Sequence, residues 1–291
     1  MPNGPAGTVP ADSTANNKVS LASRRVEPRV ASTVCSERVA FRMIRSGIAP
    51  LDAQLGGVMP GRIHLLTGGV GTGKTSACLH FLAAGLEAGE SAAILTLDRP
   101  AELTSHAAYL GIDIETPVRD GRLIALRFRQ EFARRLASSP SVERVAEDLR
   151  RMLARLITPG RIVIDPVSPF LADGSPVGAG VAAVVELLDR YRSTALLTYP
   201  GPLTDGADRR LDRLVEGAAT VVSFARHMDG EYEMSIARAR LAEASRTPVP
   251  FMIARTIGLV EVPRVPGSSG VIAYPSNEIP LRTAMDASKR S

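Results

Sequence analysis

Gly68-Gly69-Val70-Gly71-Thr72-Gly73-Lys74-Thr75 spells G-x-x-x-x-G-K-[ST], and Ser76 follows it. Glycines at these places let the backbone turn tightly and aim successive N–H groups into a nest sized for an anion. A helix predicted to start at about Lys74 adds its positive dipole end to that nest. The lysine of such a loop reaches β- and γ-phosphates, and the threonine hydroxyl can ligate magnesium. The flanks agree with the motif. Ile63-His64-Leu65-Leu66-Thr67 reads as a buried strand, and Ser76 to Ala84 reads as a helix. A glycine-rich strand-to-helix turn without a ligand is the bland alternative. Lysine usage weighs against it. Of 35 basic residues only Lys18, Lys74 and Lys289 are lysine, and the single one outside the polar termini stands in the motif. The pattern predicts a nucleotide-binding P-loop (Walker A) in which Gly68, Gly69, Val70, Gly71, Thr72, Gly73, Lys74, Thr75 and Ser76 cradle the phosphates.

The remaining composition narrows the class. A chain of 291 residues, 45% apolar and 22% charged, buries a sizeable core and is ordinary for a globular protein. No apolar run approaches the ~18 residues of a membrane span. No charged start followed by an apolar stretch marks a secretory signal. Cys35 and Cys78 are too few for a disulfide framework, so a cytoplasmic protein is expected. Residues 1–45 carry most of the net charge of +5. They read either as a solvated tail or as a basic arm that could touch nucleic acid or an acidic partner.

Along the chain three segments are expected: a disordered basic arm over 1–42, an ATPase-type domain over 43–263, and a flexible tail over 264–291. Within the middle segment, strands predicted at 62–67, 92–97, 122–128, 161–165 and 194–199 alternate with helices at 74–88, 100–110, 130–137, 141–157 and 179–191. This rhythm predicts an α/β fold with a mostly parallel sheet sandwiched by helices. After residue 217 strands dominate, at 220–226, 232–238, 250–255 and 259–262, with Asp229-Gly230 as a hairpin turn. They predict a C-terminal antiparallel extension of the sheet.

A P-loop enzyme needs an acid near the magnesium at the end of a buried strand. Arg161-Ile162-Val163-Ile164-Asp165 offers Asp165, read as the Walker B acid or as a strand-terminal turn residue before Pro166. Upstream, Ser46-Gly47-Ile48-Ala49-Pro50-Leu51-Asp52, Leu55-Gly56-Gly57 and Pro60-Gly61-Arg62 lead directly into the P-loop strand. This lead-in resembles that of the RecA/RadA/KaiC superfamily, with the usual P-x-G turn shortened to Pro60-Gly61. The resemblance runs on through Leu97-Asp98-Arg99-Pro100-Ala101-Glu102-Leu103, the Asp165 strand and Leu196-Leu197-Thr198 to Ile236-Ala237-Arg238-Ala239-Arg240. It implies a RecA-like P-loop core, ATP and Mg as ligands, and a homo-oligomer, ring or filament, with ATP held between subunits. It also implies that Arg238 and Arg240 match a basic pair that reaches a neighbour's nucleotide. Read from the residues alone, the same pair is a solvated charge stripe on one strand face.

The chain departs from KaiC-like proteins where they carry two adjacent glutamates that orient the attacking water. Asp98 and Arg99 stand there, one acid shortened and the other reversed in charge. Asp98 is the candidate water-positioning acid, with Glu102 a weaker substitute. ATP binding through Gly73, Lys74, Thr75 and Asp165 is expected with slow hydrolysis, which suits a regulatory switch. A DNA recombination or repair accessory protein and a non-hydrolysing nucleotide-dependent scaffold are the alternatives. DNA is the less favoured partner, because Pro166–Gly180 has no basic residue and Tyr199–Arg213 balances its arginines with aspartates. His64, His80, His106 and His227 show no metal-ligand spacing and read as ordinary packed or surface histidines. Thr198 reads as a strand-end hydroxyl that could sense the γ-phosphate.

Overall fold

The computed structural model describes residues 42–127, 147, 150, 151, 160–171, 179–202, 209–240, 245 and 247–262. All of them lie in the larger of the two units into which the chain divides, Phe41–Ser291. The arm, the tail, nearly all of the helical stretches expected at 130–137 and 141–157, and residues 172–178 and 203–208 of the two loops weighed for DNA lie outside the described residues.

The described strands are β1 (Ile63–Gly68), β2 (Ala92–Thr96), β3 (Leu123–Arg127), β4 (Arg161–Asp165), β5 (Thr194–Pro200), β6 (Thr220–Arg226), β7 (Tyr232–Ala239), β8 (Val249–Ala254) and β9 (Gly258–Glu261). The helices are α1 (Ala49–Leu55), α2 (Lys74–Glu87), α3 (Pro100–Tyr109), α4 (Glu115–Arg119), α5 (Ala179–Tyr191) and α6 (Arg209–Gly217). The strands form one sheet in the order β3-β2-β4-β5-β1-β6-β7-β8-β9. β1 to β6 pair in parallel, and β7 to β9 join antiparallel. The expected alternating core and antiparallel extension are both present.

Parallel strands covered on both faces read as continuous apolar runs, and β1, β2 and β4 are buried along their whole length. Their side chains still alternate between two cores. Leu66, Ile94, Val163 and Leu196 pack with α1, α2 and α3 on one face. Leu65, Leu95, Ile164 and Leu197 pack with α5 and α6 on the other. α2 buries Ala77, Cys78, Phe81, Leu82 and Leu86, because the sheet is not its only neighbour. The extension curls over it. A Cβ added to Gly258 would land 1.7 Å from His80 Nε2, and the turn after β8 is tied to the end of α3 by Thr256 N–H donating to Tyr109 O at 2.9 Å.

Arg161 opens β4 with its side chain only 1% exposed. Its guanidinium donates to Phe81 O (2.8 Å), Arg45 O (2.8 Å), Ser46 O (3.4 Å) and Glu90 Oε1 (3.4 Å). It also lies over the Phe81 ring, 4.8 Å from the centroid. Gly85 leaves room for the stem, since a Cβ there would sit 2.4 Å from Arg161 Cδ. One buried cation thus joins the lead-in segment, the P-loop helix and the strand that ends in Asp165.

His64 on β1 is buried and its Nε2 bonds Met59 O at 3.0 Å. Its Nδ1 has no partner among the described residues. Burial lowers its pKa to about 4, outweighing the raising effect of the Met59 carbonyl. An ordinary histidine titrates near 6.5, so the unfolded chain takes up this proton at higher pH than the folded one. Stability is therefore full above about pH 6.5 and falls as the pH drops towards 4. The loss amounts to about 3 kcal/mol at this residue. His64→Leu is expected to flatten that part of the pH dependence in equilibrium unfolding between pH 7 and 4.5. An unchanged slope would show that other groups carry it.

Candidate functional site

The loop after β1 is built where residues with side chains do not fit. Gly68 has φ +149°, and a Cβ on it would meet Phe224 O at 2.3 Å and Thr72 Oγ1 at 2.9 Å. Gly73 caps α2 at φ +91°, and its missing Cβ is where Ile253 Cδ1 of β8 approaches to 2.7 Å. Thr72 Oγ1 donates to Gly69 O at 2.9 Å and fixes the loop's bend. Lys74 starts α2 and arches back, its Nζ donating to Gly68 O (2.8 Å) and Gly69 O (2.6 Å). Half-burial lowers the lysine pKa, and Asp165 opposes that shift.

Asp165 ends β4 with its carboxylate buried. Thr75 Oγ1 donates to Oδ2 at 2.7 Å, and Thr198 Oγ1 of β5 donates to Oδ1 at 2.5 Å. β5 lies between the P-loop strand and the Asp165 strand, so Thr198 spans the gap that this strand order creates. The bond from Gly68 N–H to Gly201 O (3.1 Å) links the loop to the far end of β5. The hydroxyl of Thr75 and the carboxylate of Asp165 are hard oxygen donors, the kind magnesium takes one or two at a time beside phosphate and water. No group of three or more His, Cys, Asp or Glu suited to a metal occurs among the described residues.

Asp98 follows β2. Its N–H donates to Thr96 Oγ1 at 3.1 Å, and Leu97 N–H bonds Asp165 O at 3.3 Å. β2 and β4 therefore end level, on the same edge of the sheet as the loop. Burial raises the Asp98 pKa first, and the charges of Asp165 and Glu102 raise it further. Glu102 is engaged elsewhere: its carboxylate accepts from Arg99 N–H at 2.8 Å and caps α3. Arg99 points into solvent.

His106 was expected to be an ordinary packed or surface residue, yet it lies at the loop. Its Nε2 is 2.9 Å from Ser76 Oγ, and it lines a small cleft with Gly71 to Ser76 and Ile253. Burial lowers its pKa, while Asp98 and Asp165 work against that shift. The signal that could have found it is its position one turn beyond Glu102 on α3, the helix that Asp98 introduces. A larger cleft, about 560 Å³, lies on the other flank of the loop. Gly68, Gly69, Val70 and Thr72 line one wall, and Pro202 with the β6–β7 hairpin completes it.

Arg238 of β7 and Arg240, just beyond its end, reach towards α6. Arg238 Nη1 donates to Val215 O at 2.8 Å, and Arg240 Nη2 donates to Glu216 O. Both cations therefore meet the carbonyl end of a helix, where positive charge is favoured.

A glycine nest between a buried strand and a helix, its lysine, and a threonine–aspartate pair on a RecA-like sheet define a P-loop nucleotide-binding protein. The model of the family described as "ATPase: KaiC" matches residues 44–264, and the chain belongs to that family. It is 30% identical over 167 residues to RecA of Arthrospira platensis, covering 57% of this chain and 40% of that one. It is 31% identical over 137 residues to the circadian clock oscillator protein KaiC of Picosynechococcus, covering 46% and 25%. A UPF0273 protein of Methanopyrus kandleri is 28% identical over 144 residues, covering 46% and 57%. The chain thus spans less than two thirds of each of these relatives. A KaiC-like protein from Pyrococcus horikoshii shares the fold, with a TM-score of 0.62 and 24% identity over 77% of this chain and all of the other. No helix among the described residues is long and apolar enough to cross a membrane.

Proposed function

We propose that this protein binds ATP with magnesium at the P-loop and hydrolyses it slowly, as a nucleotide-dependent oligomeric switch in the cytoplasm. The observation that carries the reading is the chain of hydrogen bonds Thr75–Asp165–Thr198 beside Lys74. It brings the lysine, a hydroxyl and a carboxylate together beside the loop, which supports a site for a triphosphate and its metal. The loop N–H groups and the start of α2 receive the phosphates. Lys74 exchanges its two loop carbonyls for β- and γ-phosphate oxygens. Thr75 and Asp165 hold magnesium, directly or through water, and the ion would neutralise charge on the phosphate chain.

Hydrolysis requires a water oxygen to bond to the γ-phosphorus while the β–γ bridging bond breaks towards ADP. Asp98, at the end of β2 on the same sheet edge as the loop, is the acid assigned to orient the water and accept its proton. Its raised pKa makes it a better base than an exposed aspartate. Its short stem and the commitment of Glu102 to α3 favour slow turnover. Asp98→Asn is expected to lower phosphate release by about a hundredfold or more, with ATP affinity little changed. Equal release by both proteins would remove Asp98 from the reaction. Release no faster than buffer from the wild type would favour the non-hydrolysing scaffold, the reading that Arg99 and the occupied Glu102 support.

The oligomer reading is supported by the full exposure of Val70 at the loop tip and Met228 at the hairpin tip, both on the wall of the larger cleft. For Arg238 and Arg240 to contact a neighbour's nucleotide, they must release the carbonyls of α6. A particle mass that is monomeric with and without ATP would remove that role.

A further inference from the structure

Arg226 is the last residue of β6, and no motif pointed to it. It lies directly opposite Tyr232 in the β6–β7 ladder, and its guanidinium sits over that ring, 5.4 Å from the centroid. Its Nη1 would lie 3.8 Å from a Cβ on Gly71, so the fork overhangs the middle of the P-loop. It also lines the larger cleft together with Gly68, Gly69 and Val70. Among the described residues no carboxylate pairs with it. The acid across the hairpin, Glu233, is 3.1 Å from His227 Nε2.

That placement is electrostatically one-sided. The loop presents N–H donors, Lys74 adds an ammonium, and Arg226 brings a second full positive charge towards the same few ångströms. No Asp or Glu is among the residues that line this cleft, and the nearby carboxylate, Asp165, faces Lys74 and Thr75. An anion supplies the missing term. The Tyr232 ring backs the guanidinium at 5.4 Å, and a planar fork of this kind is suited to bidentate recognition of phosphate.

We propose that Arg226 is an in-chain ligand of the nucleotide's phosphate chain, with Tyr232 as its positioning residue. This rests on ATP binding at the P-loop and adds a contact that needs no neighbouring subunit. The cleft then receives the phosphate chain along the wall formed by Gly68 to Thr72 and β6.

Displacement of a fluorescent ATP analogue by ATP and by inorganic tripolyphosphate, on the full-length protein, tests this. Arg226→Ala is expected to weaken both competitors by about tenfold to a hundredfold, and Arg226→Lys by less, because charge is kept and the fork is lost. Tyr232→Leu is expected to cost a few-fold for both. The melting temperature without nucleotide should not change for Arg226→Ala, because the side chain is exposed. A loss for ATP with unchanged tripolyphosphate affinity would assign Arg226 to the base and overturn the proposal. Wild-type affinity for both competitors would overturn it while leaving ATP binding intact. A wild-type protein that binds neither would remove the ATP reading itself, and this inference with it.

Discussion

Lys74→Ala is expected to lose ATP–magnesium affinity by about a hundredfold or more while keeping its fold. The two Nζ bonds to Gly68 O and Gly69 O show how far the ammonium reaches over the nest. On the proposed reading the same donors would meet phosphate oxygens when nucleotide binds, and charge-assisted bonds of this kind contribute about 1.5–3 kcal/mol each. Two of them account for the expected loss. The Gly69 carbonyl lies on an exposed part of the loop and the Gly68 carbonyl at the strand end beside it, so the melting temperature should move little. Calorimetric titration with ATP and magnesium measures the first effect and thermal unfolding the second. An alanine variant with wild-type affinity would sink the site assignment, because no other lysine is present in residues 19–288.

The second large effect is structural. Arg161→Ala removes a buried cation that satisfies backbone carbonyls of Arg45, Ser46 and Phe81 and pairs with Glu90. Breaking a buried charged network from one side costs about 3–5 kcal/mol, a large share of the 5–15 kcal/mol typical of a domain. The melting temperature should drop by on the order of 10 °C. Gly85→Ala presses a methyl into the arginine stem and should cost about 1–3 kcal/mol. In the Arg161→Ala background that methyl enters vacated space, so the second substitution should be nearly neutral. A double-mutant cycle reads this coupling directly. Additive losses would mean that Gly85 and Arg161 do not share the space assigned to them.

The parallel core was legible because its physics is local. A strand buried on both faces must be apolar throughout, so Ile63–Thr67 and Ile162–Ile164 stand out from the chain. A phosphate nest needs its glycines at fixed offsets, which made the candidate cradle readable as a motif, and Asp165 was proposed from its position after such a strand. What stayed hidden depends on pairs distant in sequence. His106 reaches Ser76 across thirty residues, and Arg226 reaches Gly71 only because β6 runs beside β1. α6 was missed because its nine residues carry few buried apolar positions, Leu211 and Leu214 among them, against a mainly charged sequence. The antiparallel strands after residue 217 were expected, but their curl over α2 follows from Gly73, Gly258 and Gly111 lacking side chains where Ile253, His80 and Thr256 arrive. Arg238 and Arg240 were read as either trans contacts or a solvated stripe. Their bonds to α6 carbonyls came from a helix that the sequence did not reveal.

The contact of Ile253 with Gly73 bears on where this protein can be cut. The glycine that ends the candidate nest is backed by a side chain from the eighth strand, 180 residues further along the chain. The six parallel strands, β3-β2-β4-β5-β1-β6, are therefore not a module that could be lifted out with the proposed ligand site whole. A domain boundary drawn after the last parallel strand would pass through the cradle itself. Any graft, truncation or fusion of this protein has to carry the C-terminal strands that back the glycine loop.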